Sequence, residues 1–590
     1  MSVGMADPAT VEVIRHALVA TADEMMINVK RAAYSPSIYQ IQDVCVGLHD
    51  ADGNMLACAP GLPMFLADLG ECVRDGLQIV GRDNFRPGDI YLSNDPFTLG
   101  THINNVASYL PIFVDDSLVG FSVVRGHMVD LGGAVPGSRS SRLTEIYQEG
   151  LRLRQVKFYD RGNPVPDIHR IVADNTRMPS AVLGDLRAQV AACRTGERRL
   201  QAIIARYGID TLLECTQRII AQGQEVAREA VRSMRPGVYR AESFLDDDGI
   251  NVGQHIPIRV TVVVGEDEIT IDFSEYAEQV QGSINTGVSG AIAIARTAFK
   301  SLTTPHEPAN EGHFKPLKVV IPPGKVISAV PPAACGWWSR TTGTTQDTIF
   351  KALAPAMPDR VPAAHFGDIP MCIINGHDNA GRRFVFFEPV PGGHGGRPNG
   401  DGVGATVALH EGDTPDVPVE VQEAIFPIIV EEASYDVDSG GAGLHRGGLG
   451  YKRVFRLLSP SARMQLNIER YECPPWGLFG GRPGKPNRAY IQDEPGAEWR
   501  LVLKADEVQL RPESRVMLFG GGGGGWGDPL SRDPKAVLDD VVAGFVSLAG
   551  ARDDYGVTID PHTMSVEGVR TEADRSRMRA SKGAEGGVHD

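Results

Sequence analysis

Two histidines stand where an imidazole can do chemistry. His102 closes the run Asn94-Asp95-Pro96-Phe97-Thr98-Leu99-Gly100-Thr101-His102, and His127 opens His127-Met128-Val129-Asp130-Leu131-Gly132-Gly133. Each follows an apolar, strand-like run: Asp89-Ile90-Tyr91-Leu92 before the first, and Leu118-Val119-Gly120-Phe121-Ser122-Val123-Val124 before the second. The glycines and small polar residues beside them read as loop. Two imidazoles at strand ends, with Asp95 and Asp130 near them in sequence, make a mixed nitrogen and oxygen donor set suited to a divalent metal. Asp43, at the head of a third strand-like run that ends at Asp50, offers a further hard oxygen. The spacing matches no closed zinc finger. The competing reading is two loop histidines hydrogen-bonded to nearby backbone.

Other groups carry weaker signals. Glu145 and Glu149 fall one helical turn apart if that stretch is helical, as a general acid–base pair or as a solvated face. Trp337-Trp338, followed by Ser339-Arg340-Thr341-Thr342, is an aromatic pair in a polar stretch, the kind that lines a substrate site or an interface. Arg397 and Arg446 each sit in a glycine-rich loop, suited either to a substrate carboxylate or to loop-anchoring salt bridges. His394, between two glycine pairs, divides the same way. Cys335 has no histidine partner apparent in sequence and reads as a poor nucleophile. The run Gly520 to Gly525 tempts a nucleotide-cradle reading, but it lacks a following G-K-[ST] and helix; a tight loop against the core or a neighbouring protein suits it better.

The elements that must position these residues follow from composition and periodicity. The chain has 590 residues, a formal charge of −16, 42% hydrophobic and 22% charged residues, the composition of a globular protein. The length prior allows roughly three or four domains, or one large core with insertions. The acidic balance argues against nucleic acid as a partner. No stretch approaches the roughly 20 apolar residues of a membrane span, and the N-terminus shows no signal core. The 8 scattered cysteines form no C-x-x-C pair, which fits a cytoplasmic compartment. Pro8 to Ala33 has helical spacing. Asp185–Tyr207 and Asp210–Met234 do too, broken at Gly208, with Asp210 placed to cap the second helix. Residues 283–303 read as a small-residue helix, and Ala333–Asp347 as a Thr-rich loop leading into a helix at 346–357. The excess of the 67 glycines and 40 prolines lies in the second half, predicting many short strands there. The reading is an α+β fold, β-rich, with a multi-layer core and a helical insertion. It divides into an N-terminal α/β region with the candidate metal site (1–176), a helical hairpin (177–236), a central α+β region (237–384), a Gly-rich, mainly β region (385–565) and a disordered tail (566–590).

Taken together, the motifs resemble those of the hydantoinase B/5-oxoprolinase-like family, from about residue 8 to about residue 560. The markers include Ser93-Asn94-Asp95-Pro96 with Gly100-Thr101-His102, the His127–Gly133 segment, Gln148-Glu149-Gly150-Leu151 and Pro358–Ala363. Further ones are Gly392-Gly393 with Arg397-Pro398 and Asp401-Gly402, Thr414-Pro415 with Pro418-Val419-Glu420, and Asp438–Gly443 with Arg446-Gly447-Gly448. Glu469-Arg470 with Pro475-Trp476-Gly477, and the terminal glycine run with Gly527-Asp528-Pro529, complete the set. The resemblance implies one subunit of an ATP-dependent cyclic amide hydrolase acting on a hydantoin, lactam or oxoproline-like ring. A hydantoinase-A-type partner with an actin-like ATPase fold would bind ATP and phosphorylate the substrate carbonyl. A hetero-oligomer with two or more copies would result. The metal, zinc or manganese, is implied at Asp43, His102, Asn105 and His127, with Asp130 beside them, and its bound hydroxide would attack the activated amide. His102, His127 and Asp130 are then the expected catalytic residues, and Arg397, Trp337 and Trp338 the expected substrate contacts. The sequence departs from the family at Asn105, where Asp is usual, at Gln40, where many relatives carry Glu, and at Phe65, where one branch carries His. These departures keep open the matching component of an acetone- or acetophenone-type carboxylase, and a chain that has lost chemistry and only supports its partner.

Overall fold

The computed structural model describes residues 6–99, 101–367, 369–412 and 414–585. Gly100, in the approach to His102, and 586–590, at the end of the tail, lie outside the described residues. The chain divides into two compact units: 1–243 with 247–352 and 410–417, and 244–246 with 353–409 and 418–590. Among the described residues no helix is long and apolar enough to cross a membrane.

The first unit is built on a seven-stranded sheet. Its strands are β1 (Val44–Asp50), β2 (Met55–Cys58), β3 (Ile90–Ser93), β4 (Asn105–Val114), β5 (Ser117–His127), β6 (Val156–Asp160) and β7 (Asn163–Pro164). They run antiparallel in the order β2-β1-β5-β4-β3-β6-β7. β1 and the first eight residues of β4 are buried almost throughout, so these strands read as continuous rather than alternating apolar runs. The cover is helical. Helix Pro179–Tyr207 lies on β4: Gln189 accepts from Ser108 Oγ at 2.6 Å and donates to the Val106 carbonyl at 3.2 Å, so the polar groups it buries are satisfied. Helix Pro8–Ala32, capped by Asp7, packs on Pro179–Tyr207 and buries Val11, Ile14, Leu18, Ala22, Met25 and Val29 at three- and four-residue spacing. Each large apolar side chain among these contributes roughly 1.5–3 kcal/mol on burial.

The helical hairpin takes the form of Pro179–Tyr207 and Ile209–Arg232, with Gly208 at φ +87° capping both and Asp210 inside the first turn rather than at the cap. A four-stranded sheet follows, of Gly237–Leu245, Ile256–Val264, Ile269–Asp272 and Leu317–Val320, the last two parallel. The small-residue helix is Val288–Thr303. The Thr-rich loop expected to run to Asp347 is instead mostly helix, because Ser339–Leu353 is helical from its first serine. Thr345 and Thr348 return their hydroxyls to the carbonyls of Thr341 and Thr344, both at 2.7 Å, which lets threonines sit buried in a helix.

In the second unit two antiparallel sheets share one core. Arg383–Pro389, Met371–His377, Ser461–Asn467 and Lys504–Leu510 form one. Ile428–Asp436, Gly450–Leu457, Arg515–Gly520, Arg488–Gln492 and Arg500–Leu501 form the other. Ile374, Phe386, Met464 and Leu466 from the first meet Phe455, Leu457, Ile491 and Leu518 from the second. The second half is less purely β than its glycines suggest, with helices Val419–Ile425, Pro534–Val542, Leu548–Tyr555 and Gly568–Glu585. The last of these corrects the expected disorder over 566–585: Arg575 donates to the carbonyls of Tyr555 (3.0 Å) and Arg532 (2.7 Å), and Arg579 to that of Leu530 (3.1 Å), docking a charged helix through its arginines.

Candidate active site

The register of the first sheet assembles the site. Val44 pairs with Gly126 and Asn105 with His127, so the starts of β1 and β4 and the end of β5 share one edge. Asp43 precedes β1, and its carbonyl accepts the His127 N–H at 3.0 Å. His102 stands three residues before β4. The His102 and His127 rings stack with centroids 5.0 Å apart. His127 Nδ1 lies 3.1 Å from Asn105 Oδ1 and 3.7 Å from Asp43 Oδ2. The Asp43 side chain is 23% exposed, yet its Oδ1 is buried and accepts no hydrogen bond among the described residues. The four residues that the resemblance marks as metal ligands are therefore neighbours. Among the described residues, however, no three His, Cys, Asp or Glu side chains converge closely enough to hold one metal ion.

A cation sits among them. Arg139 brings Nη2 to 3.0 Å from His102 Nε2 and Nε to 3.3 Å from His102 Nδ1, with its guanidinium 5.5 Å from the centre of the Trp337 ring. Trp338 faces the other way: its ring is 6.4 Å from His102, 6.4 Å from Phe65 and 6.3 Å from His410. Of the expected substrate contacts, Trp338 thus lies beside the histidines. Trp337 is fully buried and carries Arg139 and Arg340 on its faces. Arg397 belongs to the second unit, where its guanidinium reaches the Asp401 carbonyl at 3.4 Å.

Asp130 is wholly engaged in holding a loop. Its Oδ1 accepts from Gly137 N and Arg177 Nη1, both at 3.0 Å, and its Oδ2 from Arg177 N at 2.7 Å and Gly132 N at 3.2 Å. That loop carries Arg139. Asp95 pairs instead with Arg152 (4.0 Å) and Arg154 (3.8 Å). A second network backs the site. Arg125 and Asp68, both fully buried, pair at 2.6 Å; Arg125 also donates to the Leu99 carbonyl at 2.7 Å and to Thr101 Oγ1; and Thr101 Oγ1 accepts from Asn105 Nδ2 at 3.0 Å. Asn105 is thereby oriented with its amide oxygen toward His127, and its amide nitrogen is committed elsewhere.

Burial sets the protonation states. It depresses both histidines well below the ordinary imidazole range, reinforced by the Arg139 charge, so both are neutral. It pushes Asp43 up to about 7, with Arg139 and Arg125 pulling the other way. Two acids outside the ligand set expected from the sequence join them. Glu411 is pushed up to about 8 by burial and then by the Asp43 charge. Glu149, raised to about 8 by burial, accepts the backbone N–H groups of Cys335 (2.6 Å) and Gly336 (2.7 Å). Glu149 and Glu145 are not a pair on one face: Glu145 is exposed and caps a short turn at Ile146–Gln148. Sequence reasoning missed Arg139 and Glu411, which lie in stretches without periodic pattern.

The glycine-rich loops resolve differently. Arg446 bonds the Gly447 carbonyl at 2.7 Å and approaches Asp540 at 3.5 Å, an anchoring role, and His394 Nε2 meets the Val407 carbonyl at 2.7 Å. The 520–525 run threads between backbones: Gly521, Gly523 and Gly524 accept from Gly393, Gly441 and Gly396 at 2.9, 2.8 and 2.8 Å, all within the second unit.

Known proteins share this arrangement of elements. The family described as hydantoinase B/oxoprolinase matches residues 7–529. The B-type component of a putative D-/L-hydantoinase from a Pseudomonas species is 30% identical over 94% of this chain and 95% of its own length. The beta chain of the caprolactamase of Pseudomonas jessenii is also 30% identical, over 94% of this chain and 96% of its own. The crystal structure of the ATP-dependent caprolactamase from that organism superposes with a TM-score of 0.90 at 28% identity, covering 97% of this chain and all of that one. A nucleotide-free acetone carboxylase structure gives a TM-score of 0.90 over 98% of this chain and 84% of that one, at 19% identity, which shows a shared fold.

Proposed function

The chain belongs to the hydantoinase B/oxoprolinase family, and from that premise we propose that it is the ring-opening component of an ATP-dependent cyclic amide hydrolase. Its partner is a hydantoinase-A-type ATPase that binds ATP and phosphorylates the amide oxygen of a hydantoin, lactam or oxoproline-like ring. The two-component arrangement is supported by the names of the hydantoinase and caprolactamase relatives, each of which is one component of a larger enzyme. Amides of this kind are poor electrophiles, and phosphorylation of the oxygen makes the ring carbon open to water. Water adds at that carbon and the ring C–N bond breaks as the nitrogen takes up a proton, which leaves an acyl phosphate; a second water cleaves that to the carboxylate and free phosphate.

One observation carries the reading: the cluster of Asp43, His102, Asn105 and His127 on one sheet edge, with a buried Asp43 Oδ1 that accepts no hydrogen bond among the described residues and lies beside neutral imidazoles. In kind, these donors fit a divalent zinc or manganese ion, which wants two imidazoles and hard oxygens. When bound, such an ion supplies Lewis acidity, lowering the pKa of water and polarising a carbonyl. This chain's residues do the rest. Asn105, oriented by Thr101, holds the His127 ring in place. Trp338 offers an apolar face beside His102 for a flat ring. Glu411, pushed up to about 8 and outside the donor set, can hold or release the proton that the leaving nitrogen needs.

A second reading, a ketone carboxylase component, is favoured by Asn105: a neutral amide in place of a carboxylate leaves the donor set with a single negative charge. Co-expression with a hydantoinase-A-type ATPase, followed by ATP with hydantoin, caprolactam or 5-oxoproline, separates them. A ring-opened amino acid with ATP consumed is the expected product. ATP-dependent incorporation of labelled bicarbonate into acetone or acetophenone, without ring opening, would replace this reading with the second.

A further inference from the structure

We propose that Arg139 is a built-in counter-cation that occupies the metal's place at His102, so that metal loading is an exchange of guanidinium for metal rather than the filling of a waiting site. The inference rests on the metal reading above and deepens it.

Four observations lead there. Arg139 lies within 3.0 and 3.3 Å of the two ring nitrogens of His102. A neutral imidazole has one lone pair to give, and the guanidinium stands against the nitrogen that carries it, whichever tautomer is present. His102 therefore cannot ligate while Arg139 stays. Second, Arg139 is itself 6% exposed and firmly held: its loop is pinned by Asp130, and its guanidinium stacks on Trp337. A residue this fixed is no surface side chain that drifted in. Third, the charge balances. The acids around Arg139 are Asp43, Glu411 and Glu149, and the neighbouring cation is Arg340. With Asn105 neutral, the four candidate ligands carry one negative charge at most, which a single guanidinium matches and a divalent ion beside that guanidinium overshoots. Fourth, the donors are adjacent without converging: His127, Asn105 and Asp43 approach one another, whereas His102 is engaged by Arg139.

The exchange makes a specific demand on affinity. Removing the guanidinium must free the His102 lone pair and take from Asp43 the larger of the two positive charges acting on it, so a divalent ion binds more tightly. The test is direct metal titration of the chelator-stripped full chain, wild type against Arg139→Met and Arg139→Lys. Cobalt(II) is followed by its visible d–d absorption, and zinc and manganese by competition and by metal content after dialysis. Arg139→Met should bind at least tenfold more tightly than wild type. Arg139→Lys, whose single ammonium cannot cover both ring nitrogens, should fall between them. A second readout is thermal: metal should raise the unfolding temperature of the variants more than that of the wild type. Should the methionine variant not fold, the lysine variant must still bind more tightly than wild type. Equal or weaker binding by the variants, with metal bound by all, overturns the exchange and leaves the metal site standing. No metal bound by any of them overturns both.

Discussion

The sheet edge that carries the histidines and the glycine-rich heart of the second unit solve opposite problems. At the sheet edge the backbone is ordinary strand, and everything particular is done by side chains: two stacked imidazoles, a raised carboxyl, a buried arginine. In the second unit everything particular is done by leaving side chains out. A Cβ built on Gly523 would lie 2.0 Å from the His394 carbonyl oxygen, and one on Gly524 would lie 2.0 Å from that of Trp476. The backbones touch, and their N–H and C=O groups pair across the contact. Glycine is there because nothing larger fits, not to cradle a phosphate. The first region can therefore lose a side chain and keep its fold, while the second cannot gain one.

The largest effect should come from adding an atom to the glycine bundle. Gly523→Val should cost more than about 4 kcal/mol, enough to abolish a folded second unit, read as loss of soluble protein or of the cooperative thermal transition. A variant that folds with an unfolding temperature within a few degrees of wild type would break the contrast between the regions. Subtraction at the sheet edge should do the reverse. His127→Ala should lower ATP-dependent turnover of the assembled complex by about a thousandfold while moving the unfolding temperature by no more than about 3 °C. If stability falls as far as activity, His127 is a packing residue.

The contrast has a boundary within the first unit. Arg125 and Asp68 sit beneath the site as a fully buried pair, and Arg125 passes its orientation through Thr101 to Asn105. Taking away one member strands the other charge. Asp68→Ala should therefore cost about 3–5 kcal/mol, measurable by chemical denaturation, although Asp68 acts on His127 only at a distance, through Arg125, Thr101 and Asn105. A cost below about 1 kcal/mol would mean that the pair is replaceable by water.

How much of this is legible in the sequence follows from the same division. The histidines are readable because strands ending in glycine-flanked loops leave a pattern, and the register of β1, β5 and β4 then forces Asp43, Asn105 and His127 together. Arg139 is not, because Gly137-Ser138-Arg139-Ser140-Ser141 has the composition of an exposed turn, and contacts distant in sequence fold it inward: the Asp130 carboxylate on the Gly137 N–H and the Ser283 hydroxyl on the Ser140 carbonyl. Glu411 lies far along the chain from the strands it joins, and long-range pairing leaves no local signal. The start of Ser339–Leu353 escapes detection because its first ten residues are polar or glycine although buried all round, so no apolar stripe marks a helix there, and its threonines argue locally for loop. The glycine run announces a close approach but not its partner.

The smallest effect, and the one that most sharpens the picture of the first region as a side-chain device, concerns pH. Glu149 is raised from 4.5 to about 8 by burial. Between those values the folded chain keeps a proton that the unfolded chain has released, so ∂ΔG/∂pH is negative there. The stabilisation is complete below about pH 4.5 and is lost as the pH rises through 8, at about 1.4 kcal/mol per pH unit for one proton. Glu149→Gln cannot ionise but keeps an oxygen for the Cys335 and Gly336 N–H groups. Its unfolding curve should overlie that of the wild type near pH 4.5 and be the more stable by roughly 1–3 kcal/mol at pH 8.5. Glu411 leaves a residual slope of the same sign in both proteins. The neutral histidines act oppositely, withdrawing stability as the pH falls below their ordinary range because the unfolded chain then binds protons that the folded one refuses. Parallel pH profiles for wild type and Glu149→Gln would show that Glu149 is ionised in the folded chain, with the Arg139 guanidinium as its counter-charge, and would move that arginine's allegiance from Asp43 toward Glu149.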